Sequence, residues 1–401
     1  MRVAVVTDLH FFKDQKENSY TDAMYGYEFF QRYHNVFEEV LVVARGEKIE
    51  KTPKNSLRIN GDGISTFMLP ATKGIAEYAR NYFSLCKKMK TAISMCDTVI
   101  IRTPSALSIM AVQIAQRLKK PYALEVVADP NSVKSSNSIK DKFIRNYVVR
   151  NCKDACMKAN GVAYVTKFFL QEICPCQAIA NGKETASYFT GNYSSVVLPS
   201  TYYGDPRDYS GKKAFTLVHT ANIIGSEAKG HSVVIRVLSE LRKKSYNVSV
   251  IFVGDGPGVE RFKALAKDLN VDNYVSFVGK FANPSLVREQ LLDSDIYILP
   301  SESEGLPRGV IEAMACGLVT LASNVSGIPE LLNEEDMCEP KDVNGYVRRL
   351  SYLFDHTEEM SALSVRNIEV AKQYSTENLT KSRNVFYNKL RKLAEKKQRG
   401  E

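Results

Sequence analysis

The chain has 401 residues and a formal net charge of +9. Its length favours two domains of roughly 150 to 200 residues each, because a single hydrophobic core seldom serves a chain of this size. Apolar residues make up 44% and charged residues 25%, which is ordinary for folded globular protein and excludes long disorder. The sequence has neither the roughly 18 uninterrupted apolar residues of a membrane span nor a signal-peptide profile at its start, so we expect a cytoplasmic protein.

The charge is unevenly distributed along the chain. Residues 1–200 carry 27 Lys and Arg against 18 Asp and Glu, whereas residues 201–401 carry 27 of each. This asymmetry indicates an anionic partner, for which anionic lipid, an anionic acceptor and nucleic acid are alternatives. The eight cysteines include no C-x-x-C pair and the five histidines are scattered, so we expect reduced thiols and no metal site.

The first half alternates short runs rich in β-branched residues with helical patterns. The runs are Arg2–Thr7, Glu39–Ala44, Asp97–Ile101, Pro121–Val127 and Gly161–Thr166. Continuous apolar runs of this kind predict strands that are buried on both faces, as in the parallel sheet of an α/β domain. The alternation stops at residues 199–211, a polar stretch with Pro and Gly that we interpret as an interdomain linker.

The alternation restarts in the second half, with runs at Phe215–His219, Val248–Gly254, Tyr274–Gly279, Asp295–Pro300 and Leu318–Ala322. We therefore predict an α/β protein with two doubly wound Rossmann-like domains, residues 1–200 and 201–375, facing a central cleft. Ligands of such sheets bind beyond the carboxyl ends of the strands. A basic helix over residues 376–401 ends the chain.

Two acids eight residues apart, Glu304 and Glu312, flank a predicted strand-to-helix turn. The strand closes at 299–301, and residues 305–312 lead into a helix that runs to about Cys316. The start of such a helix offers free backbone N–H groups and a positive dipole end, which suit a diphosphate. Glu304 is placed to accept hydrogen bonds from sugar hydroxyls and Glu312 from ribose. For an arbitrary pair, a helix-entry acid and a solvated helix residue would be the alternative interpretation.

The segment 299–332 closely resembles the donor-site region of family 4 retaining glycosyltransferases of GT-B architecture. The resemblance is carried by Glu304–Glu312, Ala313–Gly317 and Ser326–Glu330. It implies a UDP- or GDP-linked nucleotide-diphosphate sugar as donor substrate, with no further cofactor and no metal. It also implies that the sugar's anomeric configuration is retained, by a front-side route in which the leaving phosphate helps to deprotonate the acceptor. In this architecture we expect the basic helix 376–401 to return to the N-terminal domain.

The resemblance assigns further residues of the second half to the donor site. Lys229, followed by Gly230, matches the family's phosphate-binding lysine and joins Glu304 as a catalytic residue. The segments 253–257 and 277–281 match loops that approach the nucleotide, although each could equally be an ordinary tight turn. The residues assigned to substrate binding in this half are Gly305, Leu306, Pro307, Arg308, Glu312, Asn222, Gly254, Gly279 and Phe281.

One position departs from the family pattern. Family members usually carry a Gly-Arg pair shortly before the lysine, whereas this chain has Ala221 and Asn222 there. Losing that arginine removes a bidentate phosphate contact, so either another cation such as Arg308 substitutes or the donor is bound less tightly.

The first half matches the family more loosely. Asp129, assigned as catalytic, or Glu125 lies near the place where the family often has a histidine that lines the reaction centre, and His10 is assigned to substrate binding. Asp129 before Pro130 is equally a good turn residue. The segment Lys134–Lys158 places Ile139, Phe143, Ile144, Tyr147 and Val148 at helical spacing among basic residues, which fits either an anionic membrane surface or an ordinary helix with a solvated face.

These observations predict a retaining glycosyltransferase that moves a hexose-type sugar to a glycan or lipid-linked acceptor in cell-surface polysaccharide biosynthesis. Its expected partners are the nucleotide sugar, the acceptor and an anionic membrane surface on the inner face of the cell membrane. The alternatives are a GT-B-fold sugar-nucleotide epimerase and a catalytically silent glycan-binding relative. Nothing beyond charge indicates a nucleic-acid partner, since no known binding module is recognisable.

Overall fold

The computed structural model describes residues 1–22, 25–53, 56–72, 74–132, 138–281 and 283–401. These residues form two compact units, the first made of 1–193 with 380–401 and the second of 194–379. Each unit contains a largely parallel sheet with helices in its connections, so the predicted α/β class is confirmed. Within the described parts of the chain, no helix is both long enough and apolar enough to cross a membrane.

The sheet of the first unit is built around buried parallel strands. Its strand order is β4-β2-β1-β6-β7-β8-β9, with β3 beside β1 and β5 beside β3. Among the described strands of this unit, the antiparallel pairs are β1 with β2 and β2 with β4. Every residue of β6 and β7 is buried, as the continuous apolar runs predict. The strands are β1 (Arg2–Lys13), β2 (Ser19–Thr21), β3 (Glu39–Lys48), β4 (Leu57–Arg58), β5 (Ile64–Pro70), β6 (Thr98–Thr103), β7 (Tyr122–Val126), β8 (Gly161–Tyr164) and β9 (Phe189–Asn192).

The helices of the first unit follow the strands, and two of the longer ones begin at serine caps. Ser105 accepts a hydrogen bond from the backbone N–H of Ser108, and Ser138 accepts one from that of Asp141. Such caps satisfy N–H groups that a helix start leaves open. The helices are α1 (Tyr27–His34), α2 (Gly74–Ser94), α3 (Ala106–Arg117), α4 (Ile139–Lys158), α5 (Phe169–Ile173) and α6 (Gln177–Ala180).

The sheet of the second unit is parallel throughout, with the order β12-β11-β10-β13-β14-β15. The order reverses direction between β10 and β13, and a doubly wound sheet binds ligands at such a switch point. The strands are β10 (Ala214–Ile223), β11 (Asn247–Asp255), β12 (Val275–Phe277), β13 (Ile296–Leu299), β14 (Val319–Ser323) and β15 (Met337–Cys338). The helices are α7 (His231–Lys243), α8 (Val259–Asp268), α9 (Pro284–Leu292), α10 (Arg308–Ala315), α11 (Val343–Asp355), α12 (Thr357–Lys372) and α13 (Thr376–Arg399), of which α13 continues into the first unit.

The interpretation of residues 199–211 as an interdomain linker was wrong, because this segment packs within the second unit. The Arg207 guanidinium donates hydrogen bonds to backbone carbonyl oxygens at the ends of α9 and α10, those of Leu291, Leu292, Ser294 and Cys316. Tyr209 is buried, and its hydroxyl donates to the carbonyl of Asp295 over 2.8 Å. A polar composition with Pro and Gly did not reveal that one arginine satisfies the open carbonyls of two helix ends.

A buried carboxylate, that of Glu125 on β7, anchors α13 in the first unit. Its two oxygens accept hydrogen bonds from Arg102 over 2.8 Å and from the hydroxyls of Tyr33, Tyr193 and Tyr387 over 2.8, 3.0 and 2.6 Å. Burial raises the pKa of Glu125, but the Arg102 charge and the tyrosine donors outweigh burial and lower that pKa. Glu125 therefore has a structural role here, because four donors already occupy its carboxylate.

Replacing Tyr387 with Phe is expected to lower the free energy of unfolding by about 1.5 to 3 kcal/mol, because it removes a hydrogen bond to a buried charged group. Urea denaturation followed by circular dichroism measures this loss. The control is Tyr188→Phe, which changes an exposed tyrosine of the same unit and is expected to have little effect. Equal stability of the two variants would contradict the anchoring role of Glu125.

Candidate active site

The candidate site lies in the second unit, where β10 and β13 are neighbours and the strand order reverses. Helix α7 follows β10 and helix α10 follows β13. Gly230 precedes α7 and Pro307 precedes α10, and no side chain of the described residues forms a capping hydrogen bond at either start. Both helices therefore offer open N–H groups and positive dipole ends beside the same pair of strands, which is an arrangement that suits phosphate.

The two loops that lead into these helices are held against each other by backbone contacts. The N–H of Glu302 donates to the carbonyl of Ala228 over 2.9 Å. Gly230 has a φ of 73°, and a Cβ at this position would lie 2.2 Å from the carbonyl oxygen of Pro300. Only glycine allows both this left-handed backbone and this close approach. The contact holds Lys229 beside the loop that carries the first of the two predicted acids.

Lys229 and Glu304 form an ion pair across these two loops. The Lys229 Nζ lies 2.5 Å from Glu304 Oε1, which also accepts a hydrogen bond from the Ser301 hydroxyl over 2.7 Å. The backbone N–H of Glu304 donates to the hydroxyl of Ser326 over 3.2 Å. The Glu304 side chain is 10% exposed and that of Lys229 is 39% exposed. The carboxylate is thus oriented by its neighbours, while the ammonium group stays open to a ligand.

The second predicted acid, Glu312, lies on α10 one turn after Arg308. Burial raises the pKa of Glu312, and the nearby Arg308 charge opposes that rise. The first turn of α10 packs closely on β13, because a Cβ on Gly309 would lie 2.3 Å from the hydroxyl of Tyr297. That hydroxyl in turn shares a 2.9 Å hydrogen bond with Thr220 of β10. A half-buried acid here gains from a hydroxyl ligand that donates hydrogen bonds to it.

The predicted residues between the two acids form the entry to α10. Leu306 and Pro307 are buried, and Gly305 is half-buried. The carbonyl of Gly305 accepts a hydrogen bond from the N–H of Gly327 over 3.0 Å. This bond and the one from Glu304 to Ser326 connect the α10 entry to the turn after β14.

The predicted nucleotide-side residues lie at the ends of β10, β11 and β12. Gly254 has a φ of 138°, and a Cβ there would lie 1.8 Å from the carbonyl oxygen of Ala221. Its N–H donates to the carbonyl of Gly279 over 2.9 Å. Asn222 is exposed beside an irregularity in the pairing of β10 with β11, and Phe281 is half-buried in the loop after β12. The position at which the family pattern has an arginine is thus occupied by an exposed amide.

The predicted residues of the first half belong to the first unit. Asp129 forms a turn, in which its carboxylate accepts hydrogen bonds from the backbone and side-chain N–H groups of Asn131 over 2.8 and 2.9 Å. His10 lies on β1 after a register shift, and its Nε2 is buried without a hydrogen bond to the described residues. The turn is the structural role that the sequence offered for Asp129, and its catalytic assignment stays a prediction.

Sequence reasoning missed Ser301 and Ser326, the two serines that orient Glu304. Ser301 follows the strand end directly, so its position three residues before the acid was a usable signal. Ser326 lies 22 residues after the acid and has a φ of 54°. No local pattern connects it to Glu304, because the contact depends on the course of the chain through α10 and β14.

Comparisons with known proteins agree with this geometry. Residues 216–370 match the family model described as "Glycosyl transferases group 1". Protein CapJ of Staphylococcus aureus is 29% identical over 398 residues, which cover 94% of this chain and 96% of CapJ. An uncharacterized glycosyltransferase of Haemophilus influenzae is 26% identical, over 75% of this chain and 79% of its own length. Over residues 216–370 the chain thus resembles group 1 glycosyltransferases, and these similarities support glycosyltransferase activity.

Solved structures give the fold of this glycosyltransferase. Anabaena HepE, crystallised with UDP and glucose, superposes with a TM-score of 0.66 at 15% identity, covering 95% of this chain and 97% of that one. Sucrose-phosphate synthase of Thermosynechococcus elongatus gives a TM-score of 0.68 at 14% identity, covering 98% and 99%. The predicted GT-B fold is confirmed, and neither an epimerase nor a silent relative is favoured by the similarities.

Beneath the Lys229 loop, the glycosyltransferase buries two histidines against each other. The rings of His219 and His231 are 4.5 Å apart, and His231 stacks on Phe262 at 4.9 Å. His219 Nδ1 lies 2.8 Å from the carbonyl of Ile298, whereas neither nitrogen of His231 has a hydrogen-bond partner among the described residues. Burial, with smaller contributions from Lys229 and Arg261, lowers the pKa of His231 to about 4. Burial also lowers the pKa of His219.

The histidine pair predicts a loss of stability in acid. An unfolded histidine titrates near pH 6.5, so the unfolded chain binds the proton first as the pH falls. Above about pH 6.5, His231 is neutral in both the folded and the unfolded chain, so its burial does not make stability depend on pH. As the pH falls from 6.5 to about 4, the unfolded chain gains a proton that the folded chain does not bind, and the free energy of unfolding falls by about 3 kcal/mol.

The variant His231→Phe keeps the ring stacking and removes one of the two titrating groups, so we expect its thermal midpoint to depend less on pH between 6.5 and 4. Calorimetry across this range measures the difference. The matched control is the same substitution at the exposed His356, which should leave the pH dependence unchanged. An unaltered pH dependence in His231→Phe would contradict the assignment.

Proposed function

We propose that this glycosyltransferase transfers a hexose-type sugar from a UDP- or GDP-linked donor to a glycan or lipid-linked acceptor, with retention of the anomeric configuration. We place this reaction in cell-surface polysaccharide biosynthesis, in the cytoplasm at the inner face of the membrane. The observation that carries the proposal is the Lys229–Glu304 ion pair, which lies between two helix starts at the switch point of the sheet. The UDP and glucose bound by HepE support a UDP-linked donor.

The proposed donor pose follows from charge and hydrogen-bonding capacity. The diphosphate lies against the starts of α7 and α10, where open N–H groups and the Lys229 ammonium group stabilise its negative charge. The sugar hydroxyls donate to the Glu304 carboxylate, which Ser301 orients. The ribose hydroxyls donate to Glu312.

The proposed reaction needs no carboxylate nucleophile and no metal. The acceptor hydroxyl attacks the anomeric carbon on the face from which the diphosphate departs, and its proton passes to an oxygen of the leaving phosphate. As the bond between the sugar and the diphosphate breaks, negative charge grows on the leaving group. Lys229 and the two helix dipoles act at that point, so catalysis here is positioning together with charge stabilisation.

In the first unit, Asp129 is proposed as a residue of the reaction centre and His10 as an acceptor contact. Asp129 already accepts two hydrogen bonds from Asn131, so the variant Asp129→Asn tests a purely structural role. A variant that keeps its thermal midpoint but loses turnover supports catalysis, and one that loses both in parallel supports the turn.

The decisive experiment is a donor screen with UDP-, GDP- and ADP-linked sugars, followed by variants of the ion pair. We expect one donor to raise the thermal midpoint, and we expect Lys229→Met and Glu304→Gln to lower kcat by about 10²-fold to 10³-fold, as loss of one charge-stabilising contact does in other enzymes. Release of the nucleoside diphosphate measures turnover.

The matched control is the exposed pair Lys243 and Glu240 on α7, whose side chains are 2.7 Å apart. Lys243→Met and Glu240→Gln make the same chemical changes in the same unit and should leave turnover unchanged. If no nucleotide sugar stabilises the protein and Glu304→Gln behaves as Glu240→Gln does, the proposed donor site is wrong.

A further inference from the structure

Helices α2 and α4 of the first unit expose large apolar side chains. On α4, Ile139, Phe143 and Tyr147 are 88%, 76% and 53% exposed. Their spacing of four residues sets them in one line along the helix. On α2, Phe83 is 86% exposed and Tyr82 is 39% exposed. Packing in the hydrophobic core does not explain why these five positions carry large apolar side chains, because all five are exposed to solvent.

The two sets of side chains lie on helices that have the same neighbour, and we call them together the α2–α4 patch. Both helices pack on α3. The pKa of Tyr82 is raised chiefly by its hydrogen bond with Cys86, and Tyr147 of α4 contributes to the same rise. Tyr82 also contacts Phe83 edge to face, with ring centroids 5.9 Å apart. A group of large exposed apolar side chains on neighbouring helices marks an interaction site, whereas single exposed apolar residues are ordinary.

The surroundings of the α2–α4 patch are strongly basic. Among the described side chains of α2 and α4, Asp154 is the one exposed acid. Glu77 and Asp141 are half-buried. The exposed cations on the same helices are Arg80, Lys87, Lys88, Lys90, Lys142, Arg150, Lys153 and Lys158. The surface therefore combines apolar side chains long enough to insert between lipids with cations that attract anionic headgroups.

We propose that the α2–α4 patch docks the enzyme on an anionic lipid bilayer. The line of Ile139, Phe143 and Tyr147 inserts at the boundary between headgroups and acyl chains, Phe83 inserts beside it, and the basic side chains contact the headgroups. A second copy of the chain is a poorer occupant, because a symmetric contact would bring the two basic surfaces together. The inference deepens the proposed function, on which it rests for the lipid-linked acceptor.

The charge observation favours lipid over a protein partner. The cations are spread along both helices, so they match a laterally continuous layer of negative charge. The apolar line lies on the exposed side of α4, while Val148 and Cys152 on its opposite side are buried. An α4 that lies flat on the membrane would insert its line of three side chains and leave its packing on α3 unchanged.

The chain contains no tryptophan, so the fluorescence of one introduced tryptophan reports on its own position alone. The variant Phe143→Trp places it in the patch, and Tyr352→Trp places the control on an exposed site of the second unit. With vesicles of phosphatidylcholine and phosphatidylglycerol, we expect the Phe143→Trp emission to shift to the blue and to be quenched by brominated acyl chains. The control emission should not change. Equal spectra with and without these vesicles for Phe143→Trp would overturn the proposal.

Vesicle cosedimentation of the full chain separates the apolar and electrostatic contributions. The triple variant Phe83→Ser, Ile139→Ser and Phe143→Ser, and separately Lys142→Gln with Arg150→Gln and Lys153→Gln, should each lower the partition coefficient at least about tenfold. Matched controls are Val365→Ser with Val385→Ser, and Lys243→Gln with Lys263→Gln, all at exposed positions outside the patch. Equal binding to pure phosphatidylcholine, or equal binding by patch and control variants, would overturn the proposal.

Light scattering and donor turnover distinguish membrane docking from dimer formation and from a catalytic role of the patch. Light scattering that shows patch-dependent dimers without vesicle binding would assign the surface to a second copy and overturn the lipid proposal. Donor turnover, measured without vesicles, should be the same in the patch variants and the parent. Lost vesicle binding with normal turnover, as expected of the patch variants, separates docking from catalysis. Normal vesicle binding by a parent protein that turns over no donor would contradict the proposed function alone.

Discussion

The approach of Gly230 to the carbonyl of Pro300 is the constraint on which the candidate site depends. The loops after β10 and β13 come this close because residue 230 has no Cβ and tolerates a positive φ. That proximity places Lys229 beside Glu304 and brings the starts of α7 and α10 to the same pair of strands. The Lys229–Glu304 ion pair links the two loops, but a side chain at residue 230 would prevent their close approach.

The sequence predicted the elements that follow from a repeated hydrophobic pattern or from a short local motif. Continuous apolar runs predicted the buried parallel strands, because burial on both faces leaves no alternation of polar residues. A strand end, a glycine, a proline and two acids predicted the entry to α10. The contacts of Ser326 with Glu304 and of Arg207 with two helix ends join residues distant in sequence. Residues 199–211 were misassigned as a linker because their composition is polar, whereas their packing depends on contacts with residues distant in sequence.

Glu125 shows why a strand-end acid is an ambiguous signal. Its position at the carboxyl end of β7 is where a doubly wound sheet presents functional groups, and sequence reasoning therefore considered it beside Asp129. The structure surrounds the carboxylate with one guanidinium and three tyrosine hydroxyls, one of them from α13. The sequence separation between Glu125 and Tyr387 hides this network. A carboxylate with four donors is held in place, and its contribution is to fix the last helix.

The charge asymmetry of the chain is explained in part by the α2–α4 patch. Net charge describes partners and not fold, so composition alone left lipid, acceptor and nucleic acid open. Eight exposed cations of the basic half lie on two helices that also expose five large apolar side chains. Nucleic acid would account for the cations but not for Ile139 or Phe143, and a soluble anionic acceptor would not need so extended a surface. A bilayer accounts for both features, because its headgroups carry charge and its interior accepts apolar side chains.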